Sequence, residues 1–153
     1  MWPRRNAAAG WLAFLAAPLA MHDAIAAVTT VNVSNVSQLM NVVDSANSAG
    51  GDYIIMLADG TYTIPSKLHI IAPNVSITSN SGVRENVIIE GEAMSGNASV
   101  GDLILVSASN FQLSNVTLQR GGWHILQIAG EDNSRNSLVH DVVSETDIGS
   151  CSR

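Results

Sequence analysis

The stretch RGGWHILQ gathers three chemically useful side chains: the guanidinium of Arg120, the indole of Trp123 and the imidazole of His124, behind the glycine pair Gly121 and Gly122. A cation can neutralise an anionic group, an indole face is a platform for a sugar ring, and an imidazole titrates near neutral pH. Together they suit acid–base chemistry on a bound ligand. The competing reading is a tight corner in which Trp123 packs and His124 hydrogen-bonds the backbone. His140 in LVHDVV is a further candidate, and simple strand alternation would put it and Asp141 on opposite faces. His69 in LHIIA reads as a strand-face residue.

Oxygen ligands for a cation are densest at Glu131, Asp132, Asp141, Glu145 and Asp147. The segments GEDNSRN and SETDIG lack a calcium-loop spacing, however, and read as solvated turns. The chain carries no zinc spacing, P-loop, dinucleotide fingerprint or Ser/His/Asp signature. Its single cysteine, Cys151, cannot form an intramolecular disulfide.

The elements that must hold these residues begin after an export-type leader. Residues 1–26 place Arg4 and Arg5 before an apolar stretch from Ala7 to Ala20 and close on Ala24, Ile25 and Ala26, an A-x-A cleavage pattern. The stretch is too short to span a bilayer and is interrupted by Pro18, so the expectation is a secreted or periplasmic protein with no stable membrane anchor. Residues 27–153 then form one domain. They hold 5 basic and 12 acidic residues, a formal charge of −7, with no basic run. That argues against nucleic acid as a partner, since phosphate binding draws on clustered Lys and Arg.

Within the domain, VTTVNV at 28–33 alternates like a strand, and Ser34 is placed to cap a helix over 35–48. Leu39, Val42, Val43 and Ala46 form its single apolar stripe, and Gly50 and Gly51 end it. Beyond it the pattern is short strands and polar turns. NFQLSNVTLQ from Asn110 can be laid on NSLVHDVVSE from Asn136, which matches Leu113 with Val139, Asn115 with Asp141 and Val116 with Val142. Repetition of this kind predicts stacked strand-and-corner units, a solenoid, over the alternative of an antiparallel sandwich. The predicted core is Ile54, Ile55, Val75, Ile77, Val87, Ile88, Leu103, Leu105, Leu113 and Val116. Asn115 and Asp141 are candidates for a corner ladder of hydrogen bonds.

The succession SQLMNVVDSANSAGGDYIIMLADGTYTI, NVSITSNSG, NVIIEGE and NFQLSNVTLQRGGWHILQIAGEDNSRNSLVHDVV resembles the N-terminal part of secreted right-handed parallel β-helix proteins of the pectate-lyase-like group. Its strongest element is Gly51-Asp52, an apolar strand, then Asp59-Gly60-Thr61-Tyr62. The resemblance implies an all-β fold, a right-handed parallel β-helix with the amphipathic helix as an N-terminal cap over YIIML, and an open C-terminal edge through which chains could associate. It implies a polysaccharide partner and a lyase of acidic polysaccharide acting by β-elimination, with Arg120, His124 and His140 as catalytic candidates and calcium as a candidate cofactor. Because the pattern stops early relative to that group, the chain by itself is expected to be an inactive fragment. A non-catalytic glycan-binding module and a glycoside hydrolase are the alternatives. The sequons at Asn32, Asn35, Asn74, Asn97 and Asn115 matter only in a eukaryotic secretory route.

Overall fold

The computed structural model describes residues 27–91, 101–132 and 134–145. The leader at 1–26, Asn97, Asp147 and Cys151 lie outside the described residues. Among those described, the chain is mostly strand with one helix: β1 (Thr29–Val33), α1 (Val36–Ala49), β2 (Tyr53–Leu57), β3 (Gly60–Thr63), β4 (Leu68–Ile70), β5 (Val75–Ser79), β6 (Val87–Glu90), β7 (Asp102–Val106), β8 (Gln112–Gln119), β9 (His124–Ile128) and β10 (Leu138–Glu145). No helix among them is long and apolar enough to cross a membrane.

Every strand pairing is parallel. Strands β2, β3 and β4 are followed by β5, β6 and β7, which pair with them in the same order. The long β8 then serves both outer rows: its first half pairs with β5, its second half with β6, and β9 continues the row of β4 and β7. Strand β10 lies along β8 with Leu138 opposite Gln112 and Glu145 opposite Gln119, the register anticipated from Asn110 and Asn136. The result is a seven-stranded and a three-stranded parallel sheet.

Period-two alternation sends Val75 and Ile77, and Val87 and Ile89, to a common interior, and in β8 the left-handed Asn115 resets the phase so that both Leu113 and Val116 join them; all six are fully buried. Each such burial stabilises by about 1.5–3 kcal/mol. Three predicted core residues are instead half-buried: Ile54, Ile88 and Leu105. Each sits one position out of phase with buried neighbours, Ile55, Ile89 and Ile104, so the pleat turns it outward. The apolar run YIIML is thus apolar on both faces, but only Ile55 and Leu57 enter the core.

Helix α1 buries the stripe Leu39, Val42, Val43 and Ala46 as expected. Its N-cap is Asn35, not Ser34: Asn35 has extended backbone and its side chain accepts from the Gln38 amide at 2.9 Å. Ser34 is held from the other direction, as its amide and hydroxyl donate to Gln38 Oε1 at 2.9 and 3.1 Å. This is a capping-box exchange displaced by one residue. Nor does the helix cap β2, which lies between β1 and β5. It packs beside β4 and β1. There Asn47 supplies what a neighbouring strand would: its amide donates to the His69 carbonyl at 2.8 Å, and its Oδ1 accepts from the Ile71 and Ala72 amides at 3.0 and 3.2 Å. A strand edge is thereby closed by a side chain.

Corners are set by short polar residues in the left-handed region. Asp52, Asn74, Asn110 and Asn136, all at φ between 56° and 61°, precede β2, β5, β8 and β10. Their side chains are linked in a column: Asn74 donates to Asp52 at 2.9 Å, Asn110 to Asn74 at 2.8 Å, and Asn136 to Asn110 at 3.3 Å. Asn115 and Asp141 occupy the same region, at φ 54° and 53°, and bend β8 and β10 between their two halves. The Asn115 amide donates to Thr78 Oγ1 at a long 3.4 Å.

Candidate functional site

The three-stranded sheet carries the Trp–His segment at its outermost described strand. His124 opens β9 opposite Asp102 of β7, and its Nδ1 lies 2.8 Å from Asp102 Oδ1. A carboxylate on Nδ1 fixes the ring's orientation and tautomer and leaves Nε2 as the acceptor. The imidazole is more than half exposed, so Nε2 is within reach of a ligand. Trp123 is 82% exposed and lies over Gly101, where an added Cβ would stand 3.2 Å from the indole. The packed-corner reading of Trp123 and His124 therefore differs from what is seen: the indole faces solvent, and the imidazole bonds a carboxylate. Gly121 permits the turn, since a Cβ there would come within 2.8 Å of the His124 carbonyl oxygen.

Arg120 enters the same turn from the end of β8, itself at φ 57°. Its Nη1 is 3.9 Å from Glu90 Oε2. Glu90 is the centre of a polar row in register across β3, β6, β8 and β10: Thr63, Glu90, Gln119 and Glu145. The Thr63 hydroxyl donates to Glu90 Oε1 and the Gln119 amide to Oε2, both at 2.8 Å. Burial would push the Glu90 carboxyl up, but the hydrogen bonds from Gln119 and Thr63 and the charge of Arg120 outweigh it and hold the group below the usual carboxylate range. The sign follows. A folded value below the unfolded one gives stability above the unfolded pKa that is lost as pH falls through the folded value. We predict that Glu90→Gln, which keeps neutral hydrogen bonding, flattens the acid limb of a stability-against-pH profile below about pH 4.3. An unchanged limb would refute this role for Glu90.

His140 stands apart from the other two candidates. It pairs in register with Ser114, five residues before Gln119 along β8, roughly 15 Å of strand. It does not face away from Asp141 as simple alternation requires. The left-handed backbone of Asp141 breaks the alternation, and His140 Nδ1 lies 2.9 Å from Asp141 Oδ2. Arg120, Trp123 and His124 thus flank one turn, while His140 belongs to a different corner.

Two polar partners were missed in the sequence. Asp102 lies 22 residues before His124, the same separation as Asp52 and Asn74 in the corner column, and that recurrence was the available signal. Ser107 bridges His69 and Asp132, with its Oγ 3.0 Å from His69 Nε2 and donating to Asp132 Oδ2 at 3.0 Å. The hydroxyl proton goes to the carboxylate rather than to the imidazole, so this is no activated nucleophile. Burial and the charge of Lys67 lower the His69 pKa, with Asp132 opposing them. Glu131 and Asp132 sit in a 3-10 turn and Asp141 and Glu145 in β10, and no three His, Cys, Asp or Glu among the described residues are grouped to hold a metal. The described residues there do not by themselves fit a calcium cage.

Comparison with protein-family models, with curated proteins and with solved structures finds no match to this chain.

Proposed function

We propose that the chain winds as the first coils of a right-handed parallel β-helix and belongs to an exported carbohydrate-active protein that cleaves acidic polysaccharide by β-elimination. The observation that carries the reading is the Asp102-oriented, exposed His124 beside the exposed indole of Trp123. Parallel pairing throughout, a repeated strand order and a column of corner side chains support the coil reading. In this scheme the sugar chain lies over Trp123. Nε2 of His124 takes the proton next to a uronate carboxylate, the C–H electron pair becomes the new double bond as the C–O bond breaks, and the departing glycosidic oxygen takes a proton from water while His124 returns its own to solvent. Arg120 offsets the carboxylate charge.

The test is turnover of uronate-containing polymer by the full-length protein that carries these coils, followed through the absorbance of the unsaturated product. His124→Ala should lower the rate about 100-fold or more, the usual worth of a general base. Absence of product with every uronate polymer tried would sink the catalytic reading. The 82% exposure of Trp123 favours a second reading, a non-catalytic glycan platform. It predicts binding that is lost in Trp123→Ala and indifferent to His124→Ala.

A further inference from the structure

We infer that a second corner, the cleft bordered by Arg84, Glu85, Asn115 and Asp141, binds one ring of a neutral, hydroxyl-rich saccharide. The cleft is an open surface depression of about 420 Å³, a volume within the range of small-molecule sites. It lies where the loop after β5 meets the bends of β8 and β10, at a different corner from the Trp123 turn.

Its polar inventory selects the ligand. Arg84 spends Nε on Glu85 at 2.8 Å, and its Nη groups make no hydrogen bond among the described residues. Asp141 spends Oδ2 on His140, which leaves Oδ1, and Asn115 spends its amide N–H on Thr78 and Ser114, which leaves its Oδ1. Donors and acceptors therefore stand side by side. A hydroxyl both donates and accepts, so adjacent hydroxyls can use both kinds of group. A carboxylate only accepts, and it would meet a guanidinium already paired, with two carboxylates around it. An ammonium only donates, and the Arg84 charge opposes it. Val83, 43% exposed on the cleft wall, offers a small apolar contact for ring C–H groups. The left-handed backbones of Asn115 and Asp141 hold the acceptors in place before a ligand arrives. The site needs neither Trp123 nor His124 and stands independently of the lyase reading.

The experiment is an NMR titration of the full chain with maltotriose, and with trigalacturonate as the charged counterpart. Saturable shifts are expected at Gly82–Glu85, Asn115 and Asp141, with a Kd of about 1–10 mM for maltotriose. Trigalacturonate should bind this corner at least fivefold more weakly. Arg84→Gln and Asp141→Gly, the latter chosen because glycine accepts the left-handed backbone, should each weaken maltotriose at least fivefold, whereas Trp123→Ala should leave it unchanged. Wild-type spectra without saturable shifts at these residues, or equal binding of the two sugars there, would overturn the inference. So would unchanged maltotriose affinity in the folded variants.

Discussion

Replacing Gly51 with alanine should destabilise the chain by about 3 kcal/mol, a large share of a small domain's stability. Gly51 has φ +108°, a conformation that costs an L-residue about 1–2 kcal/mol. A Cβ would also run into the backbone carbonyl of Pro73, whose oxygen accepts the Asp52 amide at 3.3 Å. Relief of that clash requires the chain to draw back and break this hydrogen bond, worth about 1 kcal/mol. Gly50→Ala is the control: it also sits at positive φ, +89°, but nothing lies within 4 Å of its Cβ. It should show the conformational cost alone. In urea melts Gly51→Ala should fall well below Gly50→Ala in midpoint with similar slopes. Equal midpoints would mean that the Pro73 approach does not matter.

That glycine shows why part of the fold was legible. Gly51-Asp52 before an apolar strand is a local signal, as is the helix stripe of Leu39, Val42, Val43 and Ala46, because each depends on residues a few positions apart. The pairing of β8 with β10 was legible because the two segments keep the same apolar and polar positions, although β9 and a 3-10 turn lie between them. The corner column was not seen, since its members are 22, 36 and 26 residues apart. Variable loops between strands destroy a fixed period while the vertical stacking survives. The misassigned core residues have a different cause. In runs such as YIIML and VIIE hydrophobicity is uniform, so the phase of alternation is set by the partner strands and cannot be read locally.

The candidate site divides in the same way. Arg120, Trp123 and His124 are neighbours in sequence and remain neighbours around one turn. Asp102, which orients His124, and Glu90, which receives Arg120, come from β7 and β6, and only strand register brings them into place. His140 looked comparable to His124 by composition. Its surroundings differ because Asp141, the residue after it, adopts the left-handed bend and turns its carboxylate onto the ring.

The largest effect outside Gly51 is expected at the middle of the corner column. Asn74 both donates to Asp52 and accepts from Asn110, and it holds φ 58°. Asn74→Ala removes two hydrogen bonds of about 1 kcal/mol each and forces a Cβ-bearing residue without a local polar partner into the left-handed region, about 1 kcal/mol more. The sum is about 3 kcal/mol. Two companion variants separate the contributions. Asn74→Gly relieves the backbone and should recover about 1 kcal/mol of the loss. Asn74→Asp keeps the shape and can still accept from Asn110, but it sets a second carboxylate against Asp52, so its deficit should shrink as pH drops through the carboxylate range and either group is protonated. Urea melts of the three variants at neutral and acidic pH test the scheme. A pH-independent deficit for Asn74→Asp would show that Asp52 and Asn74 do not touch in solution, and an Asn74→Gly variant no more stable than Asn74→Ala would show that backbone conformation is not what Asn74 contributes.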